Sequence, residues 1–334
     1  MNDSIIVDLD EAQRFVARAL ERHDTSRANA ASVARALVAA EADGQKGHGL
    51  SRLPSYAAQA ASGKVDGFAE PTVVQESAAA VRIDAACGFA FPAMDLAIDR
   101  VAEHARTTGI ASAGVFRSHH FGQAGFHVER LAERGLVALG FGNSPRAIAP
   151  WGGSAGLFGT NPIAFAAPRT DDPPLVIDLS LSKVARGRIM VAAAKGEAIE
   201  PGWALDAEGR PTTDAAAAMA GTMLPIGDAK GSALVMMVEV LAAALTGANF
   251  GYEASSFFDA EGEPPGVGQL LIGFDPAVFS GGAFADRLEA LIGAMLAQPG
   301  VRLPGSRRLE ARARAAAQGI ALPRELLDRF GEPA

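Results

Sequence analysis

Apolar residues return at helical spacing through the first part of the chain. Across 10–23, Phe15, Val16, Ala19 and Leu20 fall on one face. Asp24-Thr25-Ser26 offers side-chain oxygens to cap a second helix, which carries Val33, Ala34, Leu37 and Val38 and which Gly44 is placed to end. After Gly63 the pattern changes. Thr72-Val73-Val74 and Ala80-Val81-Arg82-Ile83 are short and β-prone, which predicts a hairpin. A helix follows over 92–108, with Met94, Ala97, Val101 and Ala105 as its inner face and Gly109 as its stop. The pattern then predicts a buried strand over 110–116, a helix over 124–134 and a strand over 136–141. This alternation points to α/β architecture.

The stretch 151–178 is rich in Gly and Pro, with β-like runs at 163–167 and 175–177. A long apolar helix over 231–246 is expected to be buried on most sides. Next comes a polar loop over 252–268, containing Phe257, Phe258 and Pro264-Pro265, and then a strand over 269–274. Helices fill most of the remainder, and the alanine-rich 215–218 belongs with them.

The 334 residues, 49% of them hydrophobic, suffice for a large core and for two domains at roughly 100–200 residues each. Lys and Arg total 30 against 38 Asp and Glu, a formal charge of -8. An acidic chain without a basic run is a poor match for nucleic acid or an anionic membrane surface. The single cysteine, Cys87, rules out an intrachain disulfide and any four-cysteine metal site. Met1-Asn2-Asp3-Ser4 lacks the basic and apolar blocks of a signal peptide. Glu239 interrupts the best apolar run well short of the ~18 residues of a membrane helix. The expectation is a soluble, cytoplasmic protein with neither nucleic acid nor membrane as a partner.

Histidine is scarce, and three of the six sit in glycine-flanked polar turns: His48 in Gly47-His48-Gly49, and His119 and His120 in Ser118-His119-His120-Phe121-Gly122. Imidazole exchanges a proton near neutral pH, so these turns suit acid–base work; the alternative is a solvated or structurally hydrogen-bonded ring. Arg52 follows His48 by four residues. On a helix starting near Leu50 it would face the same cleft, and its guanidinium matches a carboxylate. A surface arginine is the alternative. Gly140-Phe141-Gly142-Asn143-Ser144-Pro145 follows a strand but lacks the third glycine of a Rossmann fingerprint. Gly227-Asp228-Ala229-Lys230-Gly231-Ser232 lacks the first glycine of a P-loop, yet could set Lys230 and a helix N-terminus against phosphate. Gly305-Ser306-Arg307-Arg308 is a second basic turn of that kind. His119 and His120 are adjacent and no His-Glu-x-x-His occurs, so no metal is assigned.

Taken together, Gly47-His48-Gly49-x-x-Arg52-Leu53, Ser118-His119-His120-Phe121-Gly122, Asn143-Ser144, Pro150-Trp151-Gly152-Gly153, Phe158-Gly159-Thr160-Asn161-Pro162, Asp178-Leu179-Ser180, Leu224-Pro225-Ile226-Gly227, Lys230-Gly231 and Leu303-Pro304-Gly305 resemble the malate/L-lactate dehydrogenase family of NAD(P)-dependent oxidoreductases. The resemblance implies a non-Rossmann α/β fold of the malate/L-sulfolactate dehydrogenase kind, with a mixed sheet, helices and an inserted cofactor-binding domain. The corresponding division is 1–122 with 220–334 for substrate and dimerisation, and 123–219 for NAD(P). It further implies a homodimer and hydride transfer between a nicotinamide and C2 of a small carboxylic acid. By the same resemblance His48 donates the proton in reduction, with His120 as the rival. Arg52 clamps the carboxylate and Thr160 touches the substrate. His120, Phe121, Gly122, Gln123, Ala124, Asp178, Leu179, Ser180, Lys230, Gly305, Ser306, Arg307 and Arg308 line the cofactor.

Two branches fit. One reduces 2-oxo acids to 2-hydroxy acids; the other reduces cyclic imines, Δ1-piperideine-2-carboxylate and Δ1-pyrroline-2-carboxylate. The imine branch has Ser before the catalytic His, where this chain has Gly47, and an acidic residue where this chain has Arg188. Lys46, Arg52 and Arg188 would give the pocket more positive charge than one carboxylate requires, which favours a dianionic 2-oxo acid such as sulfopyruvate or oxaloacetate. NADP is favoured, with NAD left open, because Arg307, Arg308 or Lys183 could meet a ribose 2′-phosphate. Gly47 also admits another class, a catalytically silent relative that binds ligand.

Overall fold

A computed structural model describes residues 4–332. Helices α1 (Leu9–Glu21) and α2 (Arg27–Ala42) begin on side-chain caps. Asp8 accepts from the Glu11 amide at 2.7 Å, and Ser26, within the expected capping triplet, accepts from the Asn29 amide at 3.2 Å. Two short 3₁₀ turns, Lys46–His48 and Leu50–Arg52, lead into α3 (Leu53–Ala61). The apolar faces of α1, α2 and α3 form one core around Phe15, Leu20, Leu37, Leu53 and Tyr56. The two ends of the chain close this core. Strand β1 (Ser4–Val7) pairs antiparallel with β12 (Ile320–Pro323). Each spans only four residues, too short for its alternation to register in the sequence.

The central sheet begins with the expected hairpin, β2 (Thr72–Glu76) and β3 (Ala80–Asp84). Helix α4 (Ala90–Thr108) crosses from β3 to a parallel neighbour, β4 (Ile110–Ser118), and Gly109 ends the helix with a φ of 78°. That left-handed turn is open to glycine at little cost. After α5 (Ala124–Ala132) come β5 (Val137–Gly142), β6 (Ile163–Ala167) and β7 (Leu175–Leu179). Then follow α6 (Arg186–Lys195), the short strands β8 (Ala204–Leu205) and β9 (Pro211–Thr212), α7 (Ala215–Ala220), β10 (Thr222–Met223) and α8 (Asp228–Glu239). Strand β11 (Val267–Phe274) precedes α9 (Pro276–Ser280), α10 (Phe284–Leu296), α11 (Ser306–Gln318) and, beyond β12, α12 (Arg324–Phe330).

The seven-stranded sheet has the order β2-β3-β4-β11-β5-β6-β7, and only β3 and β4 run parallel. It is therefore a mixed sheet and not a doubly wound parallel one, in agreement with the broken Rossmann fingerprint. Its glycines serve packing. A Cβ on Gly140 would come 2.9 Å from a Val128 methyl, and one on Gly142 would come 2.6 Å from the Phe121 ring. The segment 123–219 contributes β5, β6 and β7 to this sheet, so the proposed domain division crosses continuous hydrogen bonding.

The helix expected over 231–246 differs from expectation in two ways. It starts at Asp228 and widens to a π-helix over Val240–Ala244. It also buries one side only: Val235, Val238 and Ala242 are covered, whereas Met236, Met237, Val240 and Leu245 are exposed. Apolar content all round the helix had suggested enclosure, but the sheet covers only the face turned towards it. The π-turn brings the Ala242 carbonyl hard against Gly268 of β11, where a Cβ would collide with it. Gly268→Ala is therefore expected to destabilise the fold by about 1–3 kcal/mol, the usual range for overpacking. Denaturant unfolding checks this; wild-type stability would mean that the two backbones separate freely.

Candidate active site

The two 3₁₀ turns after α2 place His48 and Arg52 together. The Glu41 carboxylate accepts from the Leu50 amide at 3.0 Å and fixes the junction between them. Arg52 Nε donates to the Gly47 carbonyl at 2.7 Å, which folds its guanidinium back over the turn that carries His48. Arg52 Nη1 and His48 Nδ1 are both buried without a hydrogen-bond partner. Buried polar atoms normally have partners, so these two nitrogens are the ones an anionic, hydrogen-bonding ligand would satisfy.

His120 arrives from the end of β4. Its ring stacks on that of His48, with centroids 5.3 Å apart and planes 12° from parallel. Tyr56, buried on α3, sits 2.6 Å by its hydroxyl from His120 Nδ1. Burial raises the Tyr56 pKa, so the phenol stays protonated. A phenol donating into Nδ1 leaves the His120 proton on Nε2. Burial, and then the charge of Arg52, pull the His48 pKa down to about 4. The same two causes, joined by the neighbouring histidines, push His120 well below the ordinary value. The stacked pair is thus neutral at pH 7. His119 is buried behind it among Tyr56, Phe89 and Phe257, with neither ring nitrogen bonded and its pKa lowered to about 3 by burial.

A second concavity, about 540 Å³, is lined by Gln123 and Gly125 at the start of α5, by 176–179 of β7, by 302–308 before and within α11, and by Asp43 and Gln45. It gathers seven of the expected cofactor residues: Gln123, Asp178, Leu179, Gly305, Ser306, Arg307 and Arg308. Asp178 accepts from the Gly125 amide at 2.7 Å, and burial raises its pKa despite that bond. Gln123 Nε2 donates to Asp43 at 2.9 Å. His120, Phe121 and Gly122 lie in the β4–α5 connection, and Ala124 opens α5, so this stretch joins the groove to the histidine pair.

Arg188 is exposed on α6, its guanidinium 4.8 Å from the Trp203 ring centroid, beside a separate cavity of about 490 Å³. Among the described residues its one recorded side-chain partner is that ring, and no hydrogen bond or ion pair joins it to His48 or Arg52. Lys46 shares the turn of His48 but is exposed. Thr160 is held by Ser144, whose hydroxyl accepts from the Thr160 amide at 3.0 Å. Ser180 Oγ pairs with Ser182 Oγ at 2.8 Å, and Lys230 is exposed on the first turn of α8. Arg308 does not present a free charge to phosphate. It and Arg312 bind Glu129 and Asp43 in a largely buried cluster with contacts of 2.6–3.3 Å. Arg307 is exposed and forms no ion pair among the described residues. Asp43, Gln45, Tyr56, Phe257, Phe258, Glu129 and Arg312 escaped sequence reasoning because their roles come from contacts across the fold.

The profile of the malate/L-lactate dehydrogenase family matches residues 7–330. The chain belongs to this family. It is 54% identical over 327 residues to a (2R)-3-sulfolactate dehydrogenase (NADP(+)) of Chromohalobacter salexigens, covering 98% of this chain and 97% of that one. A Δ1-pyrroline-2-carboxylate/Δ1-piperideine-2-carboxylate reductase of Pseudomonas putida is 42% identical, over 96% of this chain and 95% of its own. The crystal structure of a Δ1-piperideine-2-carboxylate reductase from Pseudomonas syringae superposes with a TM-score of 0.93 at 41% identity, covering 99% of this chain and 100% of that one. This malate/L-lactate dehydrogenase family member is an oxidoreductase, and both chemistries expected from the sequence occur among its relatives.

The charge cluster sets an acid limit on the fold. Burial alone would raise the Glu129 pKa, but hydrogen bonds from Arg308 and Arg312 outweigh it and hold the group below its ordinary 4.5. A depressed carboxylate contributes its full stability above the unfolded value and loses it as pH falls through the folded one. Glu129→Gln should therefore cost stability at pH 7, by roughly 3 kcal/mol for a broken buried pair, and cost less as the pH falls below 4.5. Unfolding curves at several pH values check this; a difference independent of pH would contradict it.

Proposed function

We propose that this chain is an NADPH-dependent reductase of a dianionic 2-oxo acid of the sulfopyruvate or oxaloacetate type, yielding the 2-hydroxy acid. The observation that carries the proposal is the desolvated Arg52, with one guanidinium nitrogen unsatisfied, beside an unsatisfied His48. A carboxylate fits that guanidinium, and burial strengthens the pairing. The 54% identity to a (2R)-3-sulfolactate dehydrogenase supports the hydroxy-acid branch over the imine branch, where the identity to the P. putida reductase is 42%. Arg52 accounts for one negative charge. The second is left to exposed cations at the rim, of which Lys46 is nearest to His48 in the chain.

The groove between β7 and α11 fits a dinucleotide. A Cβ on Gly305, whose φ is 81°, would lie 3.1 Å from the Val176 carbonyl, so the backbone there approaches β7 closely. The N-terminus of α11 favours phosphate, and exposed Arg307 suits a 2′-phosphate. Gln123, Asp178, Leu179 and the 305–308 turn would hold the cofactor, which when bound supplies the hydride. Arg52 orients the 2-oxo acid by its carboxylate. Burial is the larger cause of the low His48 pKa and the Arg52 charge the second; a bound anion offsets that second cause and favours a proton on the ring. His48 then delivers that proton to the C2 oxygen as the hydroxy acid forms. His120, held by Tyr56, backs the His48 ring and keeps water from it. A homodimer in the cytoplasm completes the reading, and the exposed Met236, Met237, Val240 and Leu245 offer an apolar surface for association.

The test is oxidation of NADPH and NADH with sulfopyruvate, oxaloacetate, pyruvate and piperideine-2-carboxylate. The dianionic oxo acids with NADPH should give the highest kcat/KM, and His48→Ala should lower kcat by roughly 10²–10⁴-fold. Preference for the imine would transfer the chain to the other branch, and cofactor binding without any turnover would favour a silent ligand-binding relative.

A further inference from the structure

Just past Arg52, α3 and the turn after it carry two buried polar side chains that serve neither the histidine pair nor the cofactor groove. Lys64 has a side chain only 1% exposed, and Gln59 is fully buried. A lysine is seldom buried to that degree without a specific partner. Both reach to one short stretch of chain nearly 200 residues later. Lys64 Nζ donates to the Ser256 carbonyl at 2.8 Å, the Asp259 carbonyl at 3.1 Å and Asp259 Oδ1 at 3.0 Å. Gln59 Nε2 donates to the Phe257 carbonyl at 2.9 Å. Three backbone carbonyls among four consecutive residues are thus held from α3 and its end.

The stretch has no helix or strand of its own. Its other hydrogen bonds are local. Ser255 Oγ donates to the Glu263 carbonyl, the Phe258 amide donates to Ser256 Oγ, and the Glu261 amide donates to Asp259 Oδ1. What it presents to the site is aromatic. The Phe257 ring lies 5.2 Å from both His119 and His120, centroid to centroid. The Phe258 ring lies 4.5 Å from the Arg52 guanidinium carbon. One ring therefore shields the histidines and the other covers the guanidinium, which strengthens any anion contact made there by excluding water.

We propose that Lys64 is a positioning residue for substrate affinity: with Gln59 it latches Ser256–Asp259 so that Phe257 packs on His119 and His120 and Phe258 covers the Arg52 guanidinium. This rests on the reading above that Arg52 receives the substrate carboxylate. The latch sets how well the carboxylate is held, and the proton-transfer geometry belongs to His48 and His120.

The experiment compares Lys64→Met, Lys64→Arg and Phe258→Ala with wild type in steady-state reduction of the oxo acid that wild type uses, alongside amide hydrogen exchange over 255–261. Lys64→Met should raise KM for the oxo acid by about tenfold while kcat stays within roughly threefold and KM for the nicotinamide cofactor is unchanged. Lys64→Arg should recover part of the loss, and exchange over 255–261 should quicken in Lys64→Met. Phe258 is 58% exposed, so Phe258→Ala should fold normally and raise KM in the same sense even if Lys64→Met does not fold. An unchanged KM in folded Lys64→Met or in Phe258→Ala would overturn the proposal, as would a fall in kcat at constant KM. Should wild type reduce none of the acids, the reductase reading fails, and unaltered exchange in Lys64→Met would then refute the latch separately.

Discussion

The burial of one guanidinium organises this molecule's chemistry. Arg52 is drawn out of water by the fold of its own turn, by the ring of Phe258 and by the packing of α3, and burial lowers even its own pKa. A desolvated cation is costly unless an anion meets it. Burial, and after it the field of Arg52, keeps the His48 and His120 rings neutral. In the proposed function one arrangement would supply both the attraction for a carboxylate and the means by which that carboxylate retunes the acid. Substrate binding and proton availability would then be linked, because the Arg52 charge, second to burial in lowering the His48 pKa, is the part a bound anion neutralises.

Around this pair the fold supplies rigidity. Tyr56 fixes His120 from α3, Glu41 fixes the junction of the two turns from α2, and the Asp43–Glu129–Arg308–Arg312 cluster ties α2 and α5 to α11. The last of these lies between the turn that carries His48 and the groove of β7 and α11. Asp43 touches both, since it lines the groove and receives Gln123 as well as Arg312. Arg308 is thus held within the cluster while it lines the groove, and Arg307 is the exposed cation of its turn.

Much of the fold was legible in the sequence because the signals are local. The cap at Ser26, the stop at Gly109 and the strand 163–167 depend on neighbours along the chain, and each stands where the pattern predicts. The pairing of β1 with β12 was not legible, since each partner is too short to register alone. The same division governs the site. His48 and Arg52 lie four residues apart and could be read as a unit. Phe257 and Phe258 look like residues of a polar loop until the structure brings them to His120 and Arg52. Arg188 is the converse: its charge is legible in the sequence, but its place over Trp203, lining a separate cavity, is not.

The most direct test is the titration of His48 itself, followed by NMR of the isotopically labelled imidazole in the free protein and again with a bound carboxylate such as oxalate. The account predicts a pKa of about 4 for the free protein and a clear rise once the anion pairs with Arg52. A free-protein value near the ordinary 6.5, unmoved by the anion, would contradict it.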